Sequence, residues 1–288
     1  MSADFPLEGI AHRSIDAGGL RVHLAEAGPP DGPPVLLLHG WPQTWWMWRR
    51  VIEGLRGEFR LLAPELRGFG ATEAPGGGYD GETLARDQVA LLDALGIERA
   101  DVVGHDWGGW TAFLLGVLHP ARVGRLLVCD APHPWIPPNP RFLVEAWRSW
   151  YALALAIPGL GPALLQRTGF ARGMLRRGNV GTPFTESDID AYADALRPPE
   201  RARASSALYR YYWRAFAEGM RGRWRAHRLE APTLLLFVER DLYIGAAFLP
   251  GFERFAENMR LERVPDSGHF LVDEKPDLVV ERALELFR

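Results

Sequence analysis

Short apolar runs recur along the chain, each long enough to form one buried strand. They are continuous rather than alternating, which is typical of the central strands of a parallel sheet covered on both faces. Residues 10–15 and 20–25 alternate instead, with a Gly-rich turn between them, and predict an antiparallel hairpin. The continuous runs occupy residues 35–38, 59–64, 101–103, 123–130, 233–238 and 261–264.

Apolar residues at helical spacing separate most of these runs. Residues 83–95 predict an amphipathic helix that ends at Gly96. A second helix follows the strand at 101–103, and two more are predicted near the C-terminus, at residues 254–260 and 276–287. Strand and helix therefore alternate on each side of the middle of the chain, which predicts an α/β fold.

The middle of the chain has a different pattern. From residue 132 to about residue 228 it is helical and rich in aromatic residues, with no strand-like run. A helical block between two alternating segments predicts an α-helical cap inserted into a mostly parallel, doubly wound sheet. We assign residues 1–131 and 229–288 to the core and residues 132–228 to the cap.

Composition narrows the class of protein. With 288 residues, of which 47% are hydrophobic, the chain can bury a large core. A net charge of −3 argues against nucleic acid or a membrane surface as a partner. The single cysteine, Cys129, excludes an internal disulfide and a cysteine-based metal site. The N-terminus lacks the pattern of a signal peptide, so we expect a cytoplasmic protein, and a homodimer is left open.

One turn carries the first candidate for chemistry. Residues 104–108 read Gly-His-Asp-Trp-Gly between a predicted strand and a predicted helix. A turn this sharp leaves no room for a Cβ at Gly104 or Gly108, and it exposes the side chain of Asp106 at a helix N-terminus. The helix dipole favours negative charge at that position. Asp106 is therefore the candidate nucleophile.

Three further motifs follow predicted strands. Residues 39–42 read His-Gly-Trp-Pro, in a loop whose backbone can donate an N–H to the site. Residues 239–241 read Glu-Arg-Asp, and residues 266–270 read Asp-Ser-Gly-His-Phe. Among the eight histidines, His269 is the one in a Gly-His loop after the last predicted strand. It is the candidate general base.

These four motifs, in this order, resemble the α/β-hydrolase family, and within it the epoxide hydrolases. The resemblance covers nearly the whole chain. It implies the α/β-hydrolase fold, with nucleophile, acid and histidine in that chain order. It also implies that the N–H groups of Trp41 and Trp107 bind the oxyanion, with Pro42 beside the substrate.

An aspartate nucleophile limits the reaction. Attack by serine on an sp3 carbon would give an ether, whereas attack by a carboxylate gives an ester that water can cleave. The substrate therefore carries an epoxide or a carbon–halogen bond, and His269 activates water in the second step. We expect an epoxide hydrolase that acts on a small apolar epoxide and water, with no cofactor and no metal.

An opening epoxide needs hydrogen bonds to its oxygen, and epoxide hydrolases use two cap tyrosines for this. Residues 150–159 resemble the first tyrosine segment of that family and identify Tyr151. Residues 206–210 resemble the second and identify Tyr209, although Tyr212 lies close enough to be the matching residue instead.

The acid that orients His269 has two candidates. Asp241 follows a strand where most of the family keeps its acid, and Asp130 ends the preceding strand, where some dehalogenase relatives keep theirs. Both positions lie at the carboxyl edge of the sheet. We favour Asp241, because Asp130 is followed directly by the start of the cap; Glu239 lies too early in its loop.

Two other functions stay open. A haloalkane-type dehalogenase would use the same aspartate nucleophile, and Trp107 beside it fits halide binding, although that family more often has Asn where this chain has Pro42. A non-catalytic ligand-binding paralogue on the same fold is the weaker alternative, since candidates exist for every member of the triad.

Overall fold

The computed structural model describes residues 7–181 and 184–288, and its centre is one sheet of eight strands. The spatial order is β1-β2-β4-β3-β5-β6-β7-β8. The first two strands form the predicted antiparallel hairpin, β2 also pairs antiparallel with β4, and all pairs from there on are parallel. The strands are β1 Ile10–Ala17, β2 Leu20–Ala27, β3 Pro34–Leu38, β4 Arg60–Pro64, β5 Ala100–His105, β6 Val123–Cys129, β7 Thr233–Val238 and β8 Met259–Val264.

Helices cover this sheet and connect its strands. They are α1 Arg49–Leu55, α2 Gly81–Ala94, α3 Trp107–Leu118, α4 Arg141–Glu145, α5 Trp150–Ala156, α6 Leu160–Arg167, α7 Phe170–Gly178, α8 Glu186–Ala195, α9 Pro199–Met220, α10 Leu271–Glu274 and α11 Pro276–Phe287. Every residue of β7 is buried, as are four of the five residues of β3, because neither strand has a face in contact with water. The continuous apolar runs therefore mark the centre of the molecule, and the α/β-hydrolase fold class is confirmed.

All six helices α4 to α9 lie between β6 and β7. The described residues of the segment 132–228 contain no strand, in agreement with the helical pattern. The longest helix, α9, has 22 residues, and α8 begins with a capping box in which Thr185 and Asp188 satisfy each other's backbone N–H groups. The division at residues 131/132 and 228/229 stays a prediction.

The predicted helix at residues 254–260 is wrong. The segment is a series of turns in which Phe255 and Ala256 both donate their N–H to the carbonyl of Phe252, and β8 already begins at Met259. The ring of Phe255 stacks on Trp135 at 5.4 Å between centroids. This contact packs the segment against the stretch that follows β6, so tertiary packing overrides the local helical pattern.

Among the described residues, no helix is both long and apolar enough to cross a bilayer.

Candidate active site

The side chain of Asp106 stands at a sharp junction between β5 and α3. Its backbone has φ 49° and ψ −116°, a region that costs a non-glycine residue about 1–3 kcal/mol. The junction is packed too closely for side chains on either flank. A Cβ on Gly104 would lie 2.5 Å from the carbonyl oxygen of Gly108, and one on Gly108 would lie 2.0 Å from that of Leu38. The glycines are thus required by contact, as the sequence predicts.

Two backbone N–H groups hold the carboxylate of Asp106. Trp41 donates to Oδ2 at 2.8 Å, and Trp107 donates its backbone N–H to the same carboxylate. These are the groups predicted to bind the oxyanion. Burial raises the pKa of Asp106 to about 6, although His269 and the two N–H donors act in the opposite direction.

His269 reaches the site from the loop after β8. Its Nε2 lies 3.9 Å from Oδ1 of Asp106, the carboxylate oxygen that Trp41 does not hold. The backbone of His269 is fixed on both sides, since its N–H donates to Gly178 and its carbonyl accepts from Nε2 of His105 at 2.7 Å. Burial lowers the pKa of His105 to about 3, so His105 stays neutral and keeps this bond.

Glu274 ties the loop of His269 to the cap. Its carboxylate accepts the N–H groups of Val180 at 3.1 Å and Gly181 at 3.0 Å, and that of Gly268 at 2.9 Å. One buried side chain therefore joins the residue before His269 to the connection between α7 and α8.

Both candidate acids contact the same atom of His269. Nδ1 lies 3.0 Å from Oδ2 of Asp130 and 3.1 Å from Oδ2 of Asp241. The two acids follow β6 and β7, which are neighbours in the sheet, so their side chains meet at one edge. Glu239, the third carboxylate considered, is exposed.

Backbone N–H groups donate more and shorter hydrogen bonds to Asp241 than to Asp130. Asp241 accepts the N–H of Tyr243 at 2.6 Å and that of Ile244 at 2.9 Å, whereas Asp130 accepts only a 3.4 Å contact from Val238. Burial and the charge of Asp241 raise the pKa of Asp130 well above its usual value. Burial would also raise the pKa of Asp241, but His269 and the hydrogen bonds it accepts lower it overall.

The charge of His269 follows from this surrounding. Burial acts to lower the pKa of the imidazole, yet Asp241, Asp130 and Asp106 together raise it well above its ordinary value. One carboxyl oxygen each of Asp130 and Asp241 and a ring nitrogen of His269 lie within 4.8 Å of one another. Among the described residues, this is the one group of such side chains close enough together to hold a metal ion. The hydrogen bonds that Nδ1–H donates to the two carboxyl groups account for that spacing.

A narrow, largely apolar cavity with about 50 Å³ of free space opens above Asp106. Tyr151 from α5 and Tyr209 from α9 both line it, and their ring centroids are 5.6 Å apart. Burial raises the pKa of each phenol well above 10, so both hydroxyls stay protonated. The other lining residues are Trp107, Trp110, Pro132, Ile136, Tyr212, Ala215, Phe216, Tyr243, Ile244 and Phe248.

Tyr212 also lines the cavity, but its hydroxyl has a partner in the cap. It lies 3.1 Å from the hydroxyl of Ser149. Tyr209 is placed differently, because the indole N–H of Trp107 donates to its oxygen and its ring packs edge-on against Trp41 at 5.3 Å. The geometry therefore favours Tyr209 over Tyr212 as the partner of Tyr151.

A smaller void of about 10 Å³ lies between Asp106 and His269. This is close to the space that one water molecule needs. Trp41 lines the void, whereas Pro42, which follows a cis peptide bond, is not among the residues found to line either space.

Sequence reasoning missed two residues of this site. Tyr243 lines both spaces, its ring packs edge-on against that of His269 with 5.1 Å between the centroids, and its hydroxyl donates to the carbonyl of Met174. His105 supports the backbone of His269. Each is next or nearly next to a predicted site residue in the chain, which is the signal that could have identified them.

Comparison with known proteins identifies the family of the chain. The sequence profile of the alpha/beta hydrolase fold matches residues 33–276. The chain belongs to the α/β-hydrolase family. It is 32% identical to the soluble epoxide hydrolase of Corynebacterium sp. (strain C12), over 96% of this chain and 97% of that protein.

Solved structures resemble this α/β hydrolase over almost its full length. Cfl2 from Burkholderia cenocepacia superimposes with a TM-score of 0.87 at 30% identity, covering 99% of this chain and 98% of that one. A putative epoxide hydrolase from Pseudomonas aeruginosa gives a TM-score of 0.84 at 28% identity, covering 98% and 97%.

Proposed function

We propose that this α/β hydrolase is an epoxide hydrolase, which opens a small apolar epoxide to a vicinal diol through an ester of Asp106. The observation that carries the proposal is the orientation of the Asp106 carboxylate. Oδ2 accepts the N–H of Trp41, while Oδ1 faces His269. The names of its relatives, among them soluble epoxide hydrolase and epoxide hydrolase 4, support the same substrate class.

In the first step, Oδ1 of Asp106 attacks a carbon of the epoxide ring. The new C–O bond forms as the ring C–O bond breaks. The hydroxyls of Tyr151 and Tyr209 hydrogen bond to the oxygen that leaves, and this alkoxide takes up a proton from solvent. Their position on the cavity wall above Asp106 supports this role. A phenol with a raised pKa keeps its proton at neutral pH and so remains a donor.

In the second step, water attacks the carbonyl carbon of the ester and passes a proton to Nε2 of His269. The developing negative charge falls on Oδ2, to which Trp41 already donates, while Trp107 donates to the same carboxylate; one such donor is typically worth about 3–4 kcal/mol. Collapse breaks the bond to Oδ1, and the departing alkoxide takes the proton back from His269. Asp106 then releases the second proton of the water to solvent and becomes a carboxylate again. The void between His269 and Asp106, about 10 Å³, is close to the space that this water needs. Asp241 positions the imidazole and is stabilised by two amides.

A haloalkane-type dehalogenase is the second candidate. It is favoured by one observation, the contact between His269 and Asp130, which is where some dehalogenase relatives keep their acid. Against it, the indole N–H of Trp107 is already bonded to Tyr209. Diol formation from styrene-type epoxides and halide release from haloalkanes, measured with one preparation, separate the two.

Trapping the ester tests the mechanism. The variant His269→Gln should still be alkylated but should not hydrolyse its ester, so intact-protein mass spectrometry should find an adduct of one substrate mass. The matched control Asp106→Asn should give none. In a single wild-type turnover in heavy-oxygen water, the label should enter Asp106 rather than the diol. Label in the diol, with Asp106 unlabelled, contradicts the ester mechanism.

A further inference from the structure

Two buried carboxyl groups face one N–H in this site, which is one more than the orientation of a histidine requires. Asp130 and Asp241 each place Oδ2 within about 3 Å of Nδ1 of His269, and both side chains are almost fully buried. The single proton on Nδ1 can neutralise only one of them. Two adjacent buried carboxylates cannot both stay ionised, so one of them holds a proton.

The hydrogen bonds identify which one. Asp241 accepts two short bonds from the amides of Tyr243 and Ile244, which stabilise its charged form. Asp130 has one long contact, from the N–H of Val238 at 3.4 Å. Asp130 therefore stabilises a negative charge less well than Asp241 does. The two carboxyl groups are also hydrogen bonded to each other. The proton lies on Asp130, which donates it to Asp241.

We infer that Asp130 is a reserve acid: it is neutral while Asp241 is present, and it ionises and orients His269 when Asp241 is lost. The inference rests on the proposed function for its kinetic test. If Asp130 served only to anchor the turn after β6, its contact with Val238 would be enough. That role would not require its carboxyl group to contact the imidazole as well.

The charges balance through the proposed cycle. When water attacks the ester, its proton moves to His269, and the imidazolium faces one carboxylate, that of Asp241. Asp130 keeps its proton throughout. In Asp241→Asn the neighbouring negative charge is gone, so Asp130 releases its proton to solvent and becomes the carboxylate that faces Nδ1.

A double-mutant cycle on ester hydrolysis tests this. Removing the sole acid of a triad typically lowers the rate by roughly 10⁴-fold. We expect Asp241→Asn to lose only about 10- to 100-fold, Asp130→Asn to lose a few-fold, and the double variant to lose roughly 10⁴-fold. The pre-steady-state burst of Asp106 alkylation should persist in all three, which also shows that each is folded. Asp101→Asn, on β5 beside Arg125, is the control and should add nothing to Asp241→Asn.

Proton NMR tests the same inference without turnover. We expect a strongly downfield proton resonance from Nδ1–H in the wild type, which should remain in Asp241→Asn and disappear in the double variant. Asp130→Ser with Asp241→Asn repeats the test if the first double variant does not fold. A double variant no worse than Asp241→Asn, with the resonance kept, overturns the reserve role. So does a roughly 10⁴-fold loss in Asp130→Asn alone. Absence of any alkylation in the wild type would instead refute the proposed function, and the resonance would still decide the role of Asp130.

Discussion

The charges of Asp106 and His269 change together as the reaction proceeds. In the resting enzyme, the nearby carboxylates raise the pKa of His269, and the positive imidazolium in turn lowers that of Asp106 from the value that burial alone would give. Alkylation converts Asp106 to a neutral ester. One of the charges that raise the pKa of His269 then disappears, so the imidazole becomes neutral more readily when the second step needs a base.

The alkylation rate should therefore depend on pH through Asp106. Because the carboxylate is the nucleophile and its pKa is raised to about 6, the rate should fall about tenfold per pH unit below that value and level off above it. Single-turnover fluorescence of the nearby tryptophans measures it. In His269→Gln the lowering charge is absent, so the profile should move to higher pH. A profile that is flat down to about pH 4, the ordinary range of a carboxyl group, would contradict the assignment.

The two cap tyrosines should share the work of polarising the epoxide. Tyr151→Phe or Tyr209→Phe leaves one donor, and we expect about 10- to 100-fold slower alkylation. The double variant should lose nearly all alkylation while its melting temperature changes little. Tyr212→Phe is the matched control, because its hydroxyl bonds to Ser149 and should not be needed. Collapse of alkylation in Tyr212→Phe, with Tyr209→Phe unaffected, would reverse the assignment.

At the residue scale, motifs with a strict backbone requirement were the predictable part. Gly104 and Gly108 are compatible with few backbone structures, so the sequence alone indicates the position of Asp106. The roles of Asp130 and Tyr243 could not be read in this way. They depend on distances of about 3–5 Å between loops that are far apart in the chain, and the spacing of residues carries no such information.

At the scale of elements, the junction between β5 and α3 is the most constrained part of the fold. Gly108→Ala would place a Cβ 2.0 Å from the carbonyl oxygen of Leu38, and we expect a loss of at least about 1–3 kcal/mol in the free energy of unfolding. Gly173→Ala, in α7, meets nothing within 4 Å and should gain about 0.5–1 kcal/mol. Urea unfolding of both variants checks the pair. Equal effects at the two glycines would show that crowding at the junction is not the cause.

Strands were more predictable than helices in this chain. Continuous apolar runs such as that of β7 have one natural place, the middle of a covered sheet. The segment at 254–260 has helical spacing as well, yet the packing of Phe255 on Trp135 decides its structure. That partner lies more than a hundred positions away in the chain, so the local pattern could not reveal it.

At the scale of the whole molecule, Arg49 joins the cap to the core. It bonds Asp273 of α10 at 2.7 Å and Asp188 of α8 at 3.1 Å, and all three side chains are largely buried. The sequence predicts both parts and their order along the chain. It does not predict how the parts contact each other, because an ion pair between residues far apart in the chain produces no periodic pattern in the sequence.

Removing this cation should destabilise the protein strongly. Arg49→Met leaves two buried carboxylates without their cation, a change that typically costs about 3–5 kcal/mol. Burial already raises the pKa of Asp273 to about 6. As the pH falls, Asp273 of the variant becomes protonated and no longer carries an uncompensated charge. The loss of unfolding free energy should therefore be larger at about pH 8 than at about pH 5. Arg176→Met, which breaks an exposed pair with Glu186, should cost less than about 1 kcal/mol. Denaturation midpoints at both pH values decide the matter, and equal losses in the two variants would refute the role of Arg49.

The bonds of Glu274 restrict how such enzymes can be recombined. A chimera that takes its cap from a relative also replaces the carbonyl of Gly178 and the amides of Val180 and Gly181, which hold the loop of His269. Gly178 cannot be replaced by a larger residue without a clash, since a Cβ there would lie 2.6 Å from the ring of Tyr243. A transplanted cap must therefore bring a matching backbone at these positions, or the hybrid will bind its substrate beside a histidine that is out of place.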